Sequence, residues 1–205
     1  MNILMVSSEL SPIAKTGGLA DAVAALSNTL ALRGHSVTVL LPEYDIDSMR
    51  PVSESSKTLF EAEIDLFFRR LSIRLKRASA GSTSPDTDSS YEIVLIESRD
   101  LFGRSGIYGP RPDAEFVDNI LRFSALGRAA VLLDQYRIEN EGSGFDIVHA
   151  HDWPAGTTPA LFRKHIRRGD DSTDSKRSAA AVFTRHNGFF RGLFTKYEIH
   201  ATGLS

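Results

Sequence analysis

Residues 1–42 read MNILMVSSELSPIAKTGGLADAVAALSNTLALRGHSVTVLLP. Ile3 to Val6 is a short apolar run, the pattern of a strand covered on both faces. Leu19, Ala22, Val23, Leu26 and Leu30 recur at helical spacing, and Gly34 follows where a helix C-terminus takes a left-handed residue. Val37 to Leu41 is a second apolar, β-branched run, stopped by Pro42. Strand, helix and strand in this order predict a βαβ unit with a right-handed crossover. Between the first strand and the helix lies Lys15-Thr-Gly-Gly-Leu-Ala-Asp21. A glycine pair at a helix start brings backbone N–H groups and the positive end of the helix dipole to one point, and Lys15 adds a full charge. Such a corner suits an anion, above all a phosphate or diphosphate.

Outward from that unit, Leu59 to Phe68 and Leu71 to Arg77 alternate in part, as two sheet strands or a β-hairpin do. Ala78 to Ser90, rich in Ser, Gly, Asp and Thr, reads as an exposed loop. Tyr91 to Ile96 is another buried strand, and Leu101 to Asp113, with three glycines and two prolines, reads as irregular. Phe116, Ile120, Phe123, Gly127 and Val131 mark one side of a long helix with Asp113 as its N-cap. A strand at Phe145 to Ala150, a helix over Thr157 to Arg168, a polar loop from Gly169 to Ser178 and a strand at Ala180 to Thr184 complete the pattern. Strands alternating with helices predict a single-domain α/β fold built on an open parallel sheet.

With 24 basic and 26 acidic residues the net charge is −2, so nothing points to nucleic acid or to an anionic membrane surface. There is no cysteine, hence no disulfide framework and no thiolate metal site, which suits a reducing cytoplasm. The N-terminus has no cationic leader and turns polar at Ser7; no apolar run approaches the length of a bilayer.

In open α/β sheets ligands bind beyond the carboxyl ends of the strands. Polar clusters stand at three such ends: Lys15, Gly17, Gly18 and Asp21; His149, His151, Asp152 and Trp153; His186 and Asn187. The glycine pair is neither Gly-x-Gly-x-x-Gly nor a Walker loop; it reads as a phosphate corner or as an ordinary strand-to-helix turn with a solvent lysine. Asp21 offsets the helix dipole or accepts hydrogen bonds from a sugar hydroxyl. His149 reads as a core histidine, whereas His151 at the strand exit reads as functional; a His-x-His-Asp metal site lacks a further ligand at paired spacing. Asp118 and Asn119 are either a solvated helix turn or a polar tip lining the cleft. Tyr108, in a glycine-flanked loop, either stacks on a ligand or pins the loop.

Together these segments resemble the bacterial glycogen synthase and starch synthase family. The resemblance rests on four stretches in order: Ser7 to Pro12 followed by Lys15 to Asp21; Asp118-Asn119 with Leu121, Arg122 and Phe123; His149 to Trp153; and Thr184 to Phe194. It implies a Rossmann-like open sheet with flanking helices, the N-terminal half of a GT-B fold. It further implies transfer of glucose from ADP-glucose to the non-reducing end of an α-1,4-glucan such as glycogen, with retention and with neither metal nor other cofactor. By the same resemblance Lys15, Gly17 and Gly18 contact the donor diphosphate or glucose, Asp21 and Asn119 line the acceptor side, His151 acts catalytically beside the transferred sugar, and His186 and Asn187 shape the cleft floor. The family is longer, and its second, nucleotide-binding domain is expected outside residues 1–205, so this chain is expected to fold without catalysing alone. The competing expectations are a non-catalytic glucan-binding module and a metallohydrolase built on His149 and His151.

Overall fold

The computed structural model describes residues 1–66, 69–78, 91–111, 113–166, 179–202 and 204. Strand β1 (Asn2–Val6) leads to helix α1 (Gly18–Leu32) and strand β2 (Ser36–Pro42). Helix α2 (Arg50–Ser55), strands β3 (Lys57–Leu66), β4 (Arg69–Arg77) and β5 (Glu92–Glu97), and helix α3 (Asn119–Glu141) follow. Strand β6 (Ile147–His151), helix α4 (Thr158–Ile166) and strand β7 (Ala180–Thr184) close the order. The loops expected at 78–90 and 169–178 lie almost wholly outside the described residues.

All seven strands join one sheet in the order β3-β4-β5-β2-β1-β6-β7. The pairs β1–β2, β1–β6, β2–β5 and β6–β7 are parallel. The expectation of a parallel sheet holds for these five strands only, because β3 and β4 form an antiparallel hairpin that continues antiparallel onto β5. The apolar runs of β1, β2 and β5 fill the centre, with Leu4, Met5, Leu40, Leu41 and Leu95 fully buried. Each such side chain contributes about 1.5–3 kcal/mol of burial free energy. From β1 the chain steps to β2 on one side and later returns to β6 on the other. The loops leaving β1 and β6 therefore part at a switch point, where α/β sheets open a crevice.

Helix α1 buries Leu19, Val23 and Ser27, one face at four-residue spacing. It ends as the sequence implies. Gly34 N–H donates to Ala31 O at 2.9 Å and His35 N–H to Leu30 O at 3.2 Å, with Gly34 at φ +86°. This paired 5→2 and 6→1 closure satisfies the last carbonyls and turns the chain into β2. Helix α3 starts later than expected, at Asn119 after Asp118, while Asp113 lies exposed beside Arg111. The reason is tertiary. Phe116 N–H donates to Tyr108 O at 2.9 Å, which ties 113–118 to the preceding loop instead of to a helix turn. Where α3 crosses α4, a Cβ on Gly127 would stand 2.5 Å from Thr157 Oγ1, so this glycine sets the close approach. Strand β7 is the exposed edge, and its Val182 and Phe183 are open to solvent.

Replacing Gly34 by alanine meets no neighbouring atom but forces an L side chain into the left-handed region. Gly34→Ala is expected to lower stability by about 1–2 kcal/mol; urea unfolding checks the value.

Candidate active site

After Val6 the chain enters a short, folded loop. Leu10 and Ala14 exchange backbone hydrogen bonds of 2.9 and 2.8 Å, and the Ser11–Pro12 peptide is cis. Inside that loop Glu9 is 3% exposed. Its carboxylate accepts Thr16 N–H at 2.6 Å, Gly17 N–H at 3.1 Å, the Thr16 hydroxyl at 2.8 Å and the Tyr108 hydroxyl at 2.7 Å. The amides of Thr16 and Gly17 are thus not open to an external anion, as the glycine pair suggested; an internal carboxylate fills them. A carboxylate here is favourable because it meets both unpaired donors and the positive end of α1. Lys15 Nζ lies 2.8 Å from both carboxylate oxygens of Asp21, with both side chains about half exposed. Hydrogen bonding to Lys15, and then to Ser11, holds the Asp21 carboxyl below its ordinary range. A Cβ at Gly17 or Gly18 would meet nothing within 4 Å, so the two glycines leave room above the helix start.

At the ends of β6 and β7 three imidazoles gather. His151 is 1% exposed. Its ring stacks on His149 with centroids 4.0 Å apart, and its Nδ1 lies 3.0 Å from Nε2 of the exposed His186. The other nitrogen, Nε2, faces Met5 Sδ at 3.5 Å. Burial, with help from His149 and His186, pushes His151 down to about 3, so it is neutral at physiological pH. His149 is lowered too, chiefly by burial, and its Nε2 lies 2.7 Å from the Thr184 hydroxyl. The side chain expected to be core therefore shares one stack with the one expected to be functional.

Asp152 follows at φ +59°, ψ −180°. This is a region that only glycine enters freely, and a residue with a Cβ costs about 1–3 kcal/mol there. Its N–H donates to Thr184 O at 2.8 Å, which holds the strained peptide between β6 and β7. The carboxyl is 7% exposed, and its Oδ1 has no hydrogen-bond partner among the described residues. Burial raises its pKa; the charge of Glu9 also raises it, while His186 acts against this.

Tyr108 joins the two groups. Besides its bond to Glu9 it accepts from the Ser8 hydroxyl at 2.9 Å, and its ring centroid stands 6.1 Å from that of Trp153. Trp153 in turn packs edge-on against Phe123 and tilted against Phe194. The Tyr108 loop is held from below by Arg122, which is fully buried. Its guanidinium donates to Leu101 O at 2.7 Å, Ile107 O at 2.9 Å and Asn119 Oδ1 at 2.6 Å. Asn119, only 1% exposed, uses its amide on Tyr108 O at 2.8 Å. Asp118 pairs through both oxygens with Arg104 at 2.8 and 2.6 Å. Both residues brace a loop from inside. Asn187 accepts Phe189 N–H at 2.8 Å, closing a local turn.

Of the residues singled out by sequence, His151 and His186 touch, and Tyr108 meets the Lys15 loop through Glu9. Lys15 and Asp21 form the outer rim. Sequence reading missed Glu9 and the structural part of Arg122, although both lie inside the quoted motifs; an acid in the loop eight residues before a glycine pair was the available signal. Two grooves of about 440 and 250 Å³ lie elsewhere, meeting at Glu97, Ser98 and Arg99. Arg74, which lines the larger groove, is already paired with Glu61 and Glu97. Among the described residues no three His, Asp or Glu side chains are placed to hold a metal ion.

The family model for the starch synthase catalytic domain matches residues 2–205. The chain belongs to that starch synthase family. A glycogen synthase of Treponema denticola is 35% identical over 212 residues, covering 100% of this chain and 38% of that protein. Glycogen synthase 2 of Geobacter metallireducens is 36% identical over 206 residues, with the same coverage of 100% and 38%. The chain thus spans about 38% of the length of those relatives. The catalytic domain of starch synthase IV from Arabidopsis thaliana, bound to ADP and acarbose, matches with a TM-score of 0.73 at 25% identity. That match covers 100% of this chain and 37% of the other. The seven-stranded, mostly parallel sheet with flanking helices is therefore the architecture of a GT-B starch synthase domain.

Glu9→Ala leaves four donors without their acceptor and is expected to cost several-fold more than Lys15→Ala. An orphaned buried polar group costs about 1–3 kcal/mol each, whereas an exposed pair is worth about 0–1 kcal/mol. Denaturant unfolding of the two variants compares them.

His151 and His149 are depressed, so the unfolded chain binds their protons first. Their effect is absent above pH about 6.5 and destabilises the fold as pH falls below it, for His151 down to about 3. The slope is about 1.4 kcal/mol per pH unit for each such group. Asp152, with a raised carboxyl, opposes this at more acid pH. His151→Asn is expected to flatten the stability profile between pH 6 and 4.5, as read by thermal unfolding across pH (about one histidine's share of the slope).

Proposed function

We propose that this chain is the acceptor-side, N-terminal half of a cytoplasmic glycogen or starch synthase that moves glucose from ADP-glucose to the non-reducing end of an α-1,4-glucan with retention. One observation carries the proposal. At the switch point beside β1, the loops after β1, β6 and β7 bring a roomy glycine pair, a strained Asp152 with an orphaned oxygen and an exposed His186 to one edge of the sheet. Support for the substrates comes from the starch synthase IV domain, whose structure holds ADP and acarbose.

On this reading negative charge grows on the departing ADP as the glycosidic bond breaks. Lys15, freed from Asp21 by a small rotation at an exposed site, offsets that charge. Gly17 and Gly18, which carry no side chain and have open space where a Cβ would stand, let the donor approach the start of α1. Asp21, once released, accepts a hydrogen bond from an acceptor hydroxyl. Positive charge on the transferred glucose falls near Asp152, His186 and Tyr108. No step needs a metal or other cofactor. The nucleotide is held by a second Rossmann-like domain in the part of the relatives that this chain does not span, and closure of the two domains excludes water that would hydrolyse the donor.

The chain alone is expected to give no glucan-dependent ADP release in a coupled assay with ADP-glucose and maltoheptaose. Robust turnover would show that one half suffices and overturn the division of labour proposed. Titration of the ¹⁵N-labelled chain with maltoheptaose is expected to move the resonances of Tyr108, His186 and Asn187; an unchanged spectrum at saturating sugar argues against the acceptor-side assignment.

A further inference from the structure

Both sides of the proposed site lean on one enclosed side chain. Oε2 of Glu9 accepts Thr16 N–H at 2.6 Å and Gly17 N–H at 3.1 Å, and Oε1 accepts the Thr16 hydroxyl at 2.8 Å and the Tyr108 hydroxyl at 2.7 Å. A phenol has one hydrogen, and here it goes to Glu9, so the 2.9 Å contact between Tyr108 and Ser8 uses the hydrogen of Ser8. Among the described residues, both hydrogen bonds between the loop after β1 and the loop before α3 run through the Tyr108 oxygen. Glu9 is 3% exposed, so it meets no ligand itself. Enclosed hydrogen bonds are directional and costly to leave unmade, so moving either loop alone breaks a contact at Glu9. The Lys15–Asp21 pair, open to solvent, supplies no such constraint.

We infer that Glu9 is a positioning residue that couples the two sides of the site, holding Tyr108 at a set distance from the Lys15–Gly18 corner so that a sugar bound against one displaces the other. Calling these the glucan side and the donor side rests on the proposed function; the tie between the loops rests on geometry alone. Transfer between two sugars needs the reacting atoms about 3–3.5 Å apart. Loops set independently would let that gap vary, and a shared carboxylate removes the freedom. Glutamine at this position keeps the tie. Its carbonyl accepts the two amides, its NH₂ donates to the Thr16 and Tyr108 oxygens, and the Tyr108 hydrogen turns to Ser8. Alanine drops the tie altogether.

The experiment is ¹H–¹⁵N NMR of the labelled chain, without ligand and with maltoheptaose. Tyr108→Phe deletes the phenol oxygen and keeps the ring beside Phe123 and Trp153. Without ligand it is expected to speed hydrogen exchange at the Thr16 and Gly17 amides, which lie in the other loop; unchanged exchange overturns the tie. With maltoheptaose, the wild-type Thr16 and Gly17 resonances are expected to move together with that of Tyr108. In Tyr108→Phe they are expected to stay still while position 108 responds, a contrast that lost packing does not produce. Amides that ignore the sugar in the wild type while Tyr108 responds, or that follow it in Tyr108→Phe, overturn the coupling. Glu9→Gln is expected to keep the transmitted shift and bind maltoheptaose within about threefold of wild type, whereas Glu9→Ala is expected to lose the shift and bind about tenfold more weakly. Equal affinity in these two variants overturns the inference; should Glu9→Ala fail to fold, Glu9→Gln and Tyr108→Phe decide. If maltoheptaose moves no resonance at all, the acceptor-side reading falls and the coupling of sugars with it, while the ligand-free exchange still decides the tie.

Discussion

A buried carboxylate at a helix start governs this edge of the molecule. Glu9 is almost inaccessible, and a polar group in that position needs hydrogen-bond partners. It finds them in the Thr16 and Gly17 amides just before α1, in the Thr16 hydroxyl and in Tyr108. Because these come from the β1 loop and from the distant loop before α3, one charge fixes the separation of two segments about a hundred positions apart in the chain. Tyr108 is itself anchored through Asn119 to Arg122, whose fully buried guanidinium is met by backbone carbonyls and aromatic rings. Acid and base stand at opposite ends of one connected set of hydrogen bonds, and the loops between them take their shape from it.

Much of the sheet was legible because its residues obey local rules. The strand beginning at Asn2, helix α1 with its Gly34 terminus and the edge strand at Ala180–Thr184 fall where period and punctuation put them. The antiparallel hairpin was readable as two strands, but its direction relative to the sheet was not, since pairing sense leaves no mark on a single strand. The start of α3 was misplaced by several residues for a similar reason. Asp113 reads as the cap from sequence, and the bond from Phe116 to Tyr108 is what moves the start to Asn119.

The site was legible as a set of motifs but not as a hierarchy. Sequence gathers polar residues at the strand ends without showing which are enclosed. Burial then separates them, leaving Lys15, Asp21 and His186 at the surface while enclosing Glu9, Asn119 and His151. The enclosed residues hold the exposed ones in place, which is how a preorganised site is ordinarily built. Short motifs mix both kinds because a strand end supplies one side chain inward and the next outward.

Asp152 carries a longer consequence. Its backbone angle suits glycine, yet the position holds an acid with a buried, unmatched oxygen. Glycine at this position would remove the strain of the positive φ. A side chain at this turn costs about 1–3 kcal/mol that glycine would spare, so the end of β6 is a place where the domain holds part of its folding free energy as backbone strain.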